Sequence, residues 1–194
     1  MNALTRQLRS SYAFVERNFN LVRRYLGWEI VFIVYTTVNT LTIGLIGVTL
    51  DGATSQDRVL YLIIGALLWG FLSDLFHSVS ESVAWERWEG TIEYTFMAPI
   101  HRLTYLGGTC LFGIAYGVLR TVIIMGAVSL FFDLDLSGAN LWTGLIVLVA
   151  SSLSFIGLGL VAAVLPLMSP ERGPHATHII QGLLLLVSGV YYPI

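Results

Sequence analysis

The sequence is a succession of long apolar runs, and runs of that kind fold as helices that cross a membrane. Spans are expected at 28–50, 59–80, 103–132 and 141–167, each at or above the roughly 20 residues a helix needs to cross the hydrocarbon of a bilayer. A fifth begins at 179 and reaches 194 after about 16 residues, short for a crossing, so the chain is expected to continue past Ile194. Composition agrees: 56% of residues are hydrophobic and 11% charged, against about a quarter charged in soluble domains. The expected fold is all-α, a polytopic helical membrane bundle forming one domain over 28–194 behind an N-terminal segment, 1–27.

Lysine is absent, and all ten cationic residues are arginine. A G-x-x-x-x-G-K-[ST] phosphate loop therefore cannot be assembled from this sequence, and neither can a Schiff-base lysine. The lone Cys110 forbids an intrachain disulfide and a thiolate metal cluster. H-E-x-x-H and G-x-S-x-G do not occur either. The chain is expected to hold no catalytic residues, no metal and no cofactor of its own.

Arginine placement orients the spans. Arg6, Arg9, Arg17, Arg23, Arg24, Arg87, Arg102 and Arg172 fall on one side of the membrane. The connections "DGATSQD" and "DLDLSGAN" on the other side are acidic, next to a single arginine, Arg58. By the positive-inside rule the N-terminus is cytoplasmic. At helical spacing, Leu4, Leu8, Tyr12, Val15, Phe19, Val22 and Leu26 share one side of the N-terminal segment, with Arg6, Arg9, Arg17, Asn20 and Arg24 opposite. That is a helix lying in the membrane interface, serving either as an anchor for the first span or as a platform for a cytoplasmic partner.

A polar island, "WERWEGTIEYTFMAPIHR" at 85–102, separates the second and third spans. Trp85, Trp88, Ile92 and Phe96 recur at helical spacing, while Glu86, Glu89 and Glu93 line another face. Gly90 breaks the helix, Thr91 is placed to cap a new one with Glu93 close behind it, and Pro99 limits its continuation. A short amphipathic helix over 91–98, lying across the membrane surface, is expected.

These residues resemble the signature between the second and third spans of ATP-binding-cassette exporter permeases of the type-two class, a group that includes drug, antibiotic and polysaccharide exporters. The family's pattern falls on Glu86, Arg87, Glu89, Gly90, Thr91, Ile92, Glu93 and Pro99, with Trp88 a departure from it. "SGVYYPI" at 188–194 is similar to the family's fifth span, which runs on into a re-entrant element and a sixth span. The resemblance implies that the short helix is a coupling helix. Glu86, Glu89 and Glu93 would meet basic groups of a separate nucleotide-binding ATPase subunit, and Ile92 and Phe96 would fill its groove. ATP and Mg would bind on that partner. A second permease copy or a homologue, the lipid bilayer and a bacterial-type plasma (inner) membrane location are implied too, and no nucleic acid. The cargo would be drug-like, lipid-like or polysaccharide.

Ionisable residues inside the spans are costly unless paired or wet. Asp74, His77, Ser78 and Glu81 share one face of the second span. They either line the inner mouth of a pathway, or mark a helix emerging into water and pairing with Arg87 or the N-terminal arginines. Arg120, deep in the third span, is expected in a structural ion pair with Asp133 or Asp135, the alternative being a substrate contact. Glu29 reads as an interfacial residue or one at a dimer axis. Gly107, Gly108, Gly113, Gly117, Gly157 and Gly159 suit close helix packing. His175 and His178 lack a third metal ligand in the sequence, and their loop is a second cytoplasmic contact or the cap of the fifth span. From a different class, a stand-alone proton- or ion-coupled transporter could work through Asp74, His77, Glu81 and Arg120.

Overall fold

The computed structural model describes residues 3–49, 55–134, 140–169 and 171–192. Every regular element among them is a helix: α1 (Ala3–Arg24), α2 (Leu26–Thr49), α3 (Ser55–Trp88), α4 (Ile92–Met97), α5 (Arg102–Phe132), α6 (Leu141–Ala162), α7 (Val164–Met168) and α8 (Gly173–Val187). Four segments are long and apolar enough to cross a membrane: α2, α3 from Arg58, α5, and α6 with α7 over Trp142–Met168. The first, third and fourth expected spans agree within a few residues. The second continues eight residues past Ser80 to Trp88 without a break, as expected of a helix that ends only at Gly90. At 1.5 Å per residue α3 is roughly 51 Å long, so about 20 Å of it extends beyond a hydrocarbon layer of roughly 30 Å. The expected fifth span differs. Helix α8 starts at Gly173 and stops at Val187, and its 15 residues fall short of a crossing. Residues 193 and 194 of the expected span lie outside the described residues, as does 51–54 of the first acidic connection.

Helix α3 is the hub, packing on α2, α5, α6, α7 and α8 and carrying α4 at its end. Ile63 and Leu67 meet Ile124 and Val128 of α5, Phe71 and Leu75 meet Leu148 of α6, and Val83 meets Ile92 and Ala163. In lipid such contacts gain by close packing rather than by escape from water, so small residues at the crossings matter. A Cβ at Gly117 would lie 2.8 Å from the Phe71 ring, and one at Gly108 would lie 2.6 Å from the Ser11 carbonyl oxygen. Gly113 and Gly159 also face neighbours, whereas Gly107 and Gly157 face open space. The break between α6 and α7 has a local cause. Pro166 has no N–H to give the carbonyl four residues back, and its ring crowds that carbonyl; the residue is Ala162, where α6 ends.

Helix α1 lies along α5 and presents three faces rather than two. Leu8, Tyr12 and Phe19 stay exposed, as an interfacial apolar face would be. The face turned to α5 carries small and polar groups. Ser11 Oγ donates to the Thr104 carbonyl at 2.9 Å, and Thr104 Oγ1 donates to Gln7 Oε1 at 2.6 Å. Phe14 meets the Tyr105 ring edge-on with centroids 5.1 Å apart. By helical spacing Arg6, Arg9 and Arg24 fall on the third face, while Arg17 reaches Phe14, Tyr105 and Glu86, so α1 is fastened to the bundle beside α4.

Candidate functional site

The end of α3 is shaped by residues 86–91, which straddle its last turn. Gly90 takes a left-handed conformation, φ +70°, and its N–H donates to the Arg87 carbonyl at 3.3 Å. The Thr91 N–H donates to the Glu86 carbonyl at 2.9 Å. This pair of bonds is the glycine-terminated helix stop known as a Schellman motif, which satisfies carbonyls that would otherwise have no partner. No neighbouring atom lies within 4 Å of the place a Cβ would take at Gly90, so backbone conformation, not crowding, requires glycine there. Thr91 departs from its expected role. Its hydroxyl makes no cap bond to α4 and leans back toward the Glu86 carbonyl at 3.4 Å, closing α3 rather than opening α4.

Helix α4 is one and a half turns long and ends at Ala98, which is extended at ψ 145° as the residue before a proline favours. Beyond Pro99, the start of α5 is capped from another helix: the His101 N–H donates to Gln7 Oε1 at 3.2 Å. Gln7 thus joins the first turn of α5 to α1, a role that no local sequence pattern signals.

Helix α4 has a seated side and a free side. Ile92 is 5% exposed and packs with Val83, Leu106 and Ala163. Glu86 is 8% exposed and pairs with Arg17 of α1 at 3.3 Å. Arg17 also lies 5.4 Å from the centre of the Phe14 ring. Two expectations are corrected here. Glu86 and Ile92 are held within the chain, so neither is free to meet a partner's basic groups or fill its groove. Phe96 is half-exposed, with the Arg102 guanidinium 4.8 Å from its ring centre. The free side carries Tyr94 at 74% and Met97 at 72% exposure, flanked by exposed Arg87, Glu89, Glu93 and Pro99. Among the described residues Glu89 and Glu93 form no ion pair. Trp85 and Trp88, exposed and edge-to-face at 6.2 Å, flank this surface as aromatics do at a membrane interface.

The polar residues inside the spans divide between two neighbours of α3. Asp74 turns toward α5, where its carboxylate meets Arg120 at 2.8 Å. Arg120 also donates to Thr36 Oγ1 at 2.8 Å and to the Phe32 carbonyl at 3.3 Å, both on α2. The expected ion pair is therefore present with a different partner. Asp133 caps the far end of α5 with φ 48°, about 13 residues or roughly 20 Å of helix away from Arg120, and Asp135 lies outside the described residues. Glu29 accepts from the Tyr116 hydroxyl at 2.6 Å, so it too is tied to α5.

His77 and Glu81 turn the other way, toward α8. His77 Nε2 is hydrogen-bonded to Gln181 Oε1, and the His77 and His178 rings lie 4.7 Å apart at their centres. Glu81 joins those histidines, not Arg87 or the N-terminal arginines. Gln181 had one available signal, a lone polar residue in the apolar run "IIQGLLLLV".

No curated protein and no solved structure matches the chain. The sequence pattern of the ABC-2 type transporter family matches residues 10–194, nearly the whole chain, and thus includes α4 and the helices that position it. A hub helix ended by Gly-Thr, a short surface helix beyond it and a bundle of membrane-length helices are accordingly the parts of a transport permease, and the chain belongs to the ABC-2 type transporter family.

Proposed function

We propose that this permease is the membrane subunit of an ATP-driven exporter and that α4 is its coupling helix, the element through which a separate nucleotide-binding ATPase subunit moves the spans. The single observation that carries this reading is the free side of α4. Glu89, Glu93, Tyr94 and Met97 stand exposed on a rod whose other side is fixed to α3, α5 and the α6–α7 break through Ile92, and beside which Arg17 of α1 holds Glu86. A push on that rod reaches several helices at once. The partner binds ATP and Mg, in keeping with residues 1–194 holding no lysine for a P-loop. Two copies, or one copy and a homologue, enclose the pathway and exchange access by rigid movement of one half against the other. The α4 end faces the cytoplasm of a bacterial-type cell, in its plasma membrane, and α8 begins a fifth span. Exposed Trp28, Phe32 and Tyr35 on α2 suit a drug-like or lipid-like cargo at the seam, with polysaccharide the other cargo class on this scaffold.

The contrasting reading, a carrier driven by protons or ions through Asp74, His77, Glu81 and Arg120, is weakened by the Asp74–Arg120 pair, in which the two charges neutralise each other. Energy source separates the two. In vesicles containing the permease and its ATPase, transport is expected to stop with vanadate and to persist with an uncoupler. Transport that survives vanadate but not the uncoupler contradicts the proposal.

A further inference from the structure

Across the α3–α8 contact, three side chains of metal-binding type converge without any role in the reading above. His77 and Glu81 sit one helical turn apart on α3, and His178 approaches from α8. One ligand atom from each lies within 4.8 Å of the other two. Around a tetrahedral ion with bonds of about 2.0–2.1 Å, ligand atoms stand roughly 3.3 Å apart, a gap that side-chain rotation closes.

A second observation points to a ligand at this place. His77 Nδ1 is buried and has no hydrogen-bond partner. The other ring nitrogen, Nε2, faces the Gln181 carbonyl oxygen, which only accepts. With Nε2 engaged by that oxygen, Nδ1 is the ring nitrogen left to bind a ligand. An imidazole that donates one N–H to a carbonyl oxygen while its second nitrogen stays bare is oriented as metal-ligating histidines are. Tilted at 48°, the His77 and His178 rings face each other with no hydrogen bond between them.

We propose that His77, Glu81 and His178 bind a zinc ion that bridges α3 and α8, with Gln181 orienting His77 from behind. Two imidazoles and one carboxylate form a donor set suited to zinc, with a fourth position left for water. A single oxygen donor is too few for calcium or magnesium. The ion joins α8 to the helix that carries α4, about nine residues or roughly 14 Å of helix before Gly90.

The test uses the full chain in lipid nanodiscs and zinc itself as the probe. Equilibrium dialysis is expected to give one zinc per chain, with calcium and magnesium failing to compete. His178→Ala and His77→Ala should each weaken binding at least about tenfold, by analogy with the loss seen when supporting residues are removed. His101→Ala and His175→Ala should leave it unchanged. Extended X-ray absorption of the zinc-loaded wild-type chain, which requires no variant to fold, should report two imidazoles. No stoichiometric zinc, an unaltered affinity in His178→Ala, an equal loss in His175→Ala, or a shell of oxygen alone overturns the assignment.

Discussion

Replacing Glu89 and Glu93 together by alanine is expected to abolish substrate-stimulated ATP hydrolysis by the assembled complex while the permease still inserts and folds. Both carboxylates are exposed and form no ion pair among the described residues, so their removal costs the isolated bundle little. The effect depends on what happens when α4 docks. Charges left at a wet rim would be worth under about 1 kcal/mol each. Charges desolvated against basic groups of a groove leave those groups unpaired when removed, at about 2–5 kcal/mol. The second case applies if Tyr94 and Met97, on the same free side, are the parts driven into the groove. Association with the ATPase subunit should then weaken at least about 30-fold, since each 1.4 kcal/mol is tenfold. Co-purification and ATPase assays of the double variant measure both effects, and unchanged coupling would remove α4 from the mechanism.

The second large effect is structural. Asp74→Leu strips Arg120 of its only carboxylate partner among the described residues, at a depth where a lone charge is expensive. Arg120 is 14% exposed at its side chain and Asp74 44%, so the arginine suffers more from the loss. Thr36 and the Phe32 carbonyl keep two of its hydrogen bonds. The expected destabilisation is therefore about 2–3 kcal/mol, at or just below the roughly 3–5 kcal/mol that breaking a fully buried pair costs. Asp74→Asn, which keeps an acceptor oxygen, should lose less. Combining Asp74→Leu with Arg120→Leu should recover most of the loss, because no unpaired charge remains. Unfolding of the four proteins in detergent tests this order, and a double variant no better than Asp74→Leu would show that the pair is not what matters at this position.

Helix existence was legible because apolar length alone decides it in a membrane, and α2, α5 and the α6–α7 unit begin and end within two residues of the expected spans. The Gly-Thr stop was legible in position but not in mechanism, since Thr91 turns its hydroxyl to the helix behind it. Periodicity placed Ile92 and Glu86 on surfaces of the island, yet it cannot say which surface meets the same chain. That was decided by Ala163, Leu106 and Arg17, which lie far off in sequence. The same limit explains Arg120. Its nearest acids along the chain were Asp133 and Asp135, whereas the actual partner, Asp74, comes from the hub helix packed beside it. His178 and Gln181 were unreadable as neighbours of His77 until α8 was seen to return to α3.

The central claim is that force enters these spans at α4, and the chain's single cysteine makes a direct measurement clean. In a Cys110→Ser background, Tyr94→Cys and Met97→Cys, one at a time, should cross-link to the nucleotide-binding subunit in membranes containing the active complex. Trp142→Cys, exposed at the start of α6 and on the opposite end of the bundle, should not. An active complex in which neither α4 position reaches the ATPase, or in which Trp142→Cys links to it as readily, would contradict the account.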